Sequence, residues 1–218
     1  MKAKSVELIA ELMSSSEVPM FAKEKLMQIM RIETANTRVS GFKMTDYISK
    51  DTLYPVFTGV YYDESGYEVA TEGHILVYRK ANIPDDLKNK VVLPNGELLS
   101  EREYNRYPNW KAVVPMKSKD TIDCTIDVTR VEEFAKDWKA IKKITDKKIA
   151  VVKFCDNYFK LDLLVLFCKA LKFAQVCDCY IRKGYSNCTL CFGDLESMGG
   201  ILISMFKGES KDFQIYEM

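Results

Sequence analysis

Histidine is almost missing from this chain of 218 residues; His74 is the only one. A Ser-His-Asp triad or an imidazole general base would have to use that residue. The sequence also lacks a glycine-rich phosphate loop, an HExxH pair and a dinucleotide-binding glycine fingerprint. The commonest phosphate-transfer, zinc-protease and hydride-transfer chemistries therefore have no motif to rest on. Charge of one sign is not in excess either: Lys+Arg is 32 and Asp+Glu is 31, a net charge of +1. Binding to nucleic acid by bulk charge is excluded, and any such contact must come from local placement of Lys and Arg. No apolar run reaches the length of a membrane span. Behind Lys2 and Lys4 the chain alternates apolar and charged residues, so a signal peptide is not expected.

What is present is ordinary for a globular protein, with 47% hydrophobic and 29% charged residues. The length suits one large domain or two of ordinary size. Seven cysteines, an odd number, point to reduced thiols in a cytoplasm rather than a disulfide framework.

Periodicity divides the chain in three. Residues 5–33 read as two helices broken at Ser14-Ser15-Ser16, with Pro19 in the first turn of the second and Phe21, Leu26, Ile29 and Met30 inward. From Arg38 the texture turns to strands. Val56–Tyr62 and Tyr67–Ala70 flank an Asp63–Gly66 turn, His74–Tyr78 stays extended, and Val91–Leu93 runs into Pro94-Asn95-Gly96. Glu101–Arg106 reads as a surface loop and Trp110–Val114 as a strand. After a linker at 117–120, a strand at Thr121–Ile126 leads to a helix capped by Asp127 or Thr129. That helix runs to Ile144, with Val131, Phe134, Trp138 and Ile141 inward and Lys136, Lys139 and Lys143 on another face. Ile149–Phe154 is a strand. Asp162 can cap a helix to Phe173 with Leu163, Leu166, Phe167 and Leu171 inward. Strands at Val176–Ile181, Cys188–Phe192 and Ile201–Phe206 follow. The order is α+β.

Three segments carry a resemblance: SKDTLYPVFTGV at Ser49–Val60, VATEGHIL at Val69–Leu76, and YPNWKAVVP at Tyr107–Pro115. In this order they resemble the bacterial DNA polymerase sliding clamp, the β subunit. IDVTRVEEFAK, FKLDLLVLFCKAL and GGILISMF resemble the strand-to-helix turn, second helix and closing strand of that family's last domain, so the likeness covers residues 40–206. It implies a DNA-clamp-like α+β fold: two lobes of antiparallel sheet with helices on one face, at 34–116 and 120–218, plus a helical N-terminal extension at 1–33. It implies a non-enzymatic processivity or repair factor without a cofactor, binding double-stranded DNA through phosphates rather than base edges. Lys136, Lys139, Lys143, Lys169 and Lys172 are the expected DNA contacts. A merely solvated helix face would carry the same residues. The family's peptide pocket, which takes polymerase or loader peptides, maps onto Phe57, Thr71, Gly73, His74, Leu76, Pro115, Leu202, Ser204 and Met205. Ile75 stands where the family has Arg, and Ser204 where it usually has Met. Three two-lobed copies would make a six-lobed ring through head-to-tail interfaces. One alternative is a monomeric interaction module that does not encircle DNA.

Another alternative is a small zinc-binding nucleic-acid protein. Cys177-x-Cys179 and Cys188-x-x-Cys191 offer four thiolates, although Cys177 and Cys179 alternate in a strand as buried small residues do, Cys188 and Cys191 fall on opposite strand faces, and the spacing is not that of a common finger or ribbon. Cys124, Cys155 and Cys168 read as core. Tyr104, Tyr107 and Trp110 lie among Arg102, Arg106 and Lys111, a pattern that can stack on single strands or simply border a buried Trp. Asp63-Glu64 and Asp85-Asp86 are paired acids in turns.

Overall fold

The computed structural model describes residues 11–15, 18–35, 42–100, 106–114, 117–118, 120–176, 178–183, 188–205 and 212–218. The chain is α+β and forms two compact units. One comprises Met1–Glu72 with Ala81–Pro108, the other Gly73–Lys80 with Asn109–Met218. The expected segments at 1–33, 34–116 and 120–218 differ from this division in three places: 1–33 groups with the first unit, and 73–80 and 109–116 group with the second. Among the described residues no helix is long and apolar enough to cross a membrane.

In the first unit, residues 11–14 are helical and α1 spans Met20–Ala35. Pro19 sits just ahead of α1, and its carbonyl accepts from the N–H groups of Ala22 and Lys23 at 3.0 and 3.1 Å. The expected inward face needs correction: Phe21 is 71% exposed and Ile29 48%. Phe21 and Leu26 are five residues apart, which turns them about 140° around the helix and off any shared stripe. The chain then packs Phe42, Met44 and Tyr47 around a 3-10 turn at Met44–Tyr47. The strand expected from Val56 is also corrected. Pro55–Phe57 is a second 3-10 turn, consistent with the fixed φ and missing N–H of Pro55. Strand β1 (Val60–Asp63) turns through Gly66 (φ +89) into β2 (Tyr67–Thr71). Beyond β3 (Ile75–Lys80), which belongs to the second unit, β4 (Lys90–Val92) pairs with β1 on the side away from β2. Tyr61 stands opposite both Val69 and Val91, and its ring stacks on Tyr107 at 4.1 Å.

The second unit holds two sheets. Trp110–Ala112 is a 3-10 turn rather than the expected strand, and it sets the buried Trp110 ring against Tyr78 at 5.1 Å. Then come β5 (Thr121–Thr125), α2 (Val128–Ile141), β6 (Ile149–Phe154), β7 (Asn157–Lys160) and α3 (Leu161–Ala174). Next are β8 (Asp178–Lys183), β9 (Cys188–Gly193), β10 (Met198–Ile203) and β11 (Phe213–Glu217). Five of these strands run antiparallel in the order β3-β10-β9-β8-β5; β11-β6-β7 form a smaller mixed sheet in which β11 runs parallel to β6.

Several boundaries differ from expectation. The hairpin partner β7 and the strand β11 were not anticipated. The closing strand starts at Met198, before the expected Ile201, and α2 ends at Ile141 with a turn in which Ile144 N–H donates to the Ile141 carbonyl. Asp162 lies in the first turn of α3; Lys160 holds the cap position without a side-chain hydrogen bond. The inward face of α3 is Leu161, Leu164, Phe167, Cys168, Ala170 and Leu171, while Leu163 and Leu166 are half-buried.

Glycine is forced where β9 ends. Gly193 has φ +75, and a Cβ there would lie 2.0 Å from the Met198 carbonyl oxygen. Gly193→Ala should destabilise the fold by at least about 2 kcal/mol in urea unfolding, from strain and overlap together. The β6–β7 turn has the opposite problem: Cys155 and Asp156 both adopt positive φ, 46° and 58°, without being glycine. Asp156→Gly should stabilise the protein by about 0.5–1 kcal/mol in the same assay.

Candidate nucleic-acid interface

The basic residues expected to meet DNA stand on or just beyond two helices of the second unit. Asp127 caps α2 by accepting from the Arg130 N–H at 3.0 Å. Val131 and Trp138 are buried, and Phe134 and Ile141 are half-buried, so the three-and-four spacing sets the inward face as expected. Phe134 also stacks on Tyr216 of β11 at 4.7 Å, and the Tyr216 hydroxyl donates to Asp137 at 2.5 Å. Desolvation and that carboxylate push the Tyr216 hydroxyl pKa upward. Helix α3 ends where Gln175 turns left-handed at φ +56 and its N–H reaches the Leu171 and Lys172 carbonyls.

The two helices are neighbours. The Lys172 ammonium meets the Glu132 carboxylate across them at 2.5 Å. Lys172 is therefore already paired within the protein, and of the five expected contacts it is the one whose charge is locally offset. Lys136, Lys139, Lys143 and Lys169 are exposed. Among the described residues they make no ion pair. Lys143 lies two residues beyond the end of α2, in the turn. Lys139 in the last turn also suits the negative end of the helix dipole. Of the three acids of α2 that dilute this positive face, Glu132 is engaged by Lys172 and Asp137 by Tyr216, while Glu133 is exposed beside them. Lys142, exposed at the end of α2, is a further basic residue that does not share the face of Lys136 and Lys139. The Lys142-Lys143 doublet was its only signal.

The expected peptide-pocket residues fall in both units. Phe57, half-buried, and Thr71, 6% exposed, belong to the first. In the second, Gly73 and His74 are exposed and Met205 is half-buried. Leu76, Leu202 and Ser204 are buried. The His74 carbonyl accepts from the Ile203 N–H at 2.9 Å, and the Ser204 hydroxyl accepts from the Cys188 N–H at 2.9 Å. The buried members thus serve sheet packing and backbone satisfaction in this conformation. Pro115 lies outside the described residues. So do Arg102, Tyr104 and Cys177. Tyr107 and Trp110 are buried against aromatic neighbours, so neither ring presents a free face for a base.

The thiols divide by burial. Cys168, Cys179 and Cys191 are buried, Cys124 and Cys188 are half-buried, and Cys155 is exposed. The expectation that Cys155 is core is corrected: it occupies the outward tip of the β6–β7 turn. Burial pushes the Cys168 and Cys191 thiols to about 12 and Cys124 to about 11, and it moves Cys155 and Cys179 upward too. Protonated thiols are poor metal ligands and poor nucleophiles. Among the described residues no three His, Cys, Asp or Glu side chains are grouped as a metal site requires. Under native conditions a thiol-alkylating reagent should modify Cys155 first and reach Cys168, Cys179 and Cys191 only on unfolding. Labelling of Cys124 should accelerate about tenfold per pH unit below its pKa of about 11, as its thiolate fraction rises. Mass spectrometry of the labelled peptides reads both.

No protein-family model matches the sequence, and no curated protein matches it. In structure the chain is similar to bacterial DNA polymerase III β subunits. With that of Borrelia burgdorferi, solved with a natural product, it shares a TM-score of 0.49 and 14% identity over 84% of this chain and 62% of the other. With that of Streptococcus pyogenes the figures are 0.48 and 13%, over 84% and 64%. With the Helicobacter pylori β clamp bound to a DNA ligase peptide they are 0.43 and 8%, over 74% and 61%. The chain spans less than two thirds of the length of these structures.

Proposed function

We propose that this protein is a sliding-clamp-like accessory factor of replication or repair that acts by binding, not by catalysis, and that holds duplex DNA through its phosphates. The observation that carries this reading is the paired α2 and α3. Each buries one face, and together with the turn after α2 they expose Lys136, Lys139, Lys143 and Lys169 while the nearby acids Glu132 and Asp137 are occupied. Exposed ammonium groups on two neighbouring helices and the turn after α2, unpaired among the described residues, suit a repeating line of phosphates and carry no base preference. The co-linear segments at Ser49–Val60, Val69–Leu76 and Tyr107–Pro115 support the same reading. Partner peptides of polymerases or loaders would engage the exposed part of the expected pocket, around Gly73 and His74.

Substituting Lys136, Lys139 and Lys169 together by Ala should weaken binding to duplexes of unrelated sequence to the same extent. It should lower the slope of log K against log salt by about 0.9 for each phosphate that is no longer neutralised. Unchanged affinity and slope would overturn the assignment of this face. Lys172→Ala, which removes an already paired charge, should change the slope less than any of the other three.

A second reading, an interaction module that does not encircle DNA, is favoured by Met20 and Phe21, which α1 exposes to 73% and 71%. Light scattering behind size exclusion separates the two. The clamp reading expects a species of three chain masses that persists on dilution; a monomer at every concentration favours the module.

A further inference from the structure

We propose that Cys124 and Cys179 are a redox pair that closes a cross-strand disulfide between β5 and β8. This inference stands independently of the DNA reading. The two residues are direct partners in the antiparallel register of β5 on β8. Directly opposed antiparallel residues have Cα atoms about 4.5–5.5 Å apart, inside the range of about 4.4–6.8 Å that a disulfide spans. Opposed side chains share one face of the sheet, so the two Cβ vectors point the same way. Opposed Cβ atoms lie about 4.5–5.5 Å apart, against about 3.5–4.5 Å across a disulfide, so the strands must close by about an ångström, and β5 is the strand able to give. Among the described residues β5 is bonded to β8 alone and ends its sheet. Three of its five residues are exposed, and the other two are only half-buried.

The thiols are also unequal in the way a two-step exchange requires. Cys124 is half-buried and open to a small reagent, whereas Cys179 is 2% exposed. The oxidant is a low-molecular-weight disulfide such as oxidised glutathione. The Cys124 thiolate attacks one of its sulfurs, forming a mixed disulfide and releasing one thiolate, which takes up the proton that Cys124 gave to water. Cys179 then loses its proton, attacks the Cys124 sulfur and expels the second thiol. Two protein thiols are oxidised and one glutathione disulfide is reduced to two glutathiones. The bond fastens the weakly held edge strand whose end, through Ile126 and Asp127, leads directly into α2. It also closes a long loop containing α2, β6, β7 and α3, the kind of closure that restricts the unfolded chain most.

The test is non-reducing peptide mapping of the intact chain after incubation with oxidised glutathione, quenched in acid and then unfolded in the presence of excess alkylating reagent so that every remaining thiol is trapped as it is exposed. The expected product is a Cys124–Cys179 linked peptide. Amide exchange of residues 121–125 should slow at least about tenfold, as local opening of the edge is suppressed. Reduction with dithiothreitol should reverse both. Cys155→Ser should form the same bond, whereas Cys124→Ala and Cys179→Ala should abolish both the link and the exchange effect. The wild-type map decides the matter even if a variant fails to fold. Glutathione retained on Cys124 with Cys179 still a thiol would overturn the proposal. So would a link through any other cysteine, or modification of Cys155 alone.

Discussion

The five-stranded sheet of the second unit depends on two adjacent glycines. β10 lies between β3 and β9, and at Gly199 and Gly200 it carries no side chain. A Cβ on Gly199 would stand 2.2 Å from the Tyr78 hydroxyl, and one on Gly200 would stand 2.5 Å from the Phe192 ring. Successive residues of a strand face opposite sides, so the pair opens room for one aromatic ring on each face. Tyr78 uses its side to meet Trp110. Phe192 uses the other to meet Phe167 of α3, with ring centres 5.2 Å apart in an edge-on arrangement. That second contact helps to seat α3, which also buries Leu161, Leu164, Cys168, Ala170 and Leu171, and α3 in turn neighbours α2, with Lys172 and Glu132 paired across them.

Much of this was legible in the sequence because the period was unambiguous. The three-and-four spacing of Val131, Phe134, Trp138 and Ile141 fixed the inward face of α2, and Asp127 fixed its start. The apolar run Ile149–Phe154 matched β6 residue for residue. Other elements lacked such signals. β7 was hidden because its turn is Cys155-Asp156, whose residues adopt positive φ without the Asn-Gly or Asp-Gly chemistry that normally announces it. Gly199 and Gly200 disguised the start of β10, since glycine weakens a strand pattern and is explained here only by Tyr78 and Phe192. The inward face of α3 was misread in part because nearly every residue of Leu161–Ala174 is apolar, so periodicity could not choose between Leu163 and Leu164.

The candidate interface was legible to a different depth. That Lys136, Lys139 and Lys143 share a side follows from their spacing. That Lys172 is taken up by Glu132 does not, because the partner is forty residues away and belongs to another helix. Several residues expected to line a peptide pocket are buried, which no local pattern could reveal: Leu76 and Leu202 read equally well as pocket wall and as sheet interior.

The parallel pairing of β11 with β6 imposes an order of events on folding. Residues 149–153 align with 213–217, so one edge of the small sheet stays open until a segment made much later has left the ribosome. Parallel pairs of high sequence separation form slowly, because the loop must close before any of its bonds contribute. During that interval the apolar Val151 and Val152 of β6 have one strand neighbour, β7, instead of two. Tyr216, which stacks on Phe134 and donates to Asp137, arrives with the same late strand. The outer contacts of the basic helix are therefore completed last, and a nascent chain stalled before Phe213 carries α2 without that support.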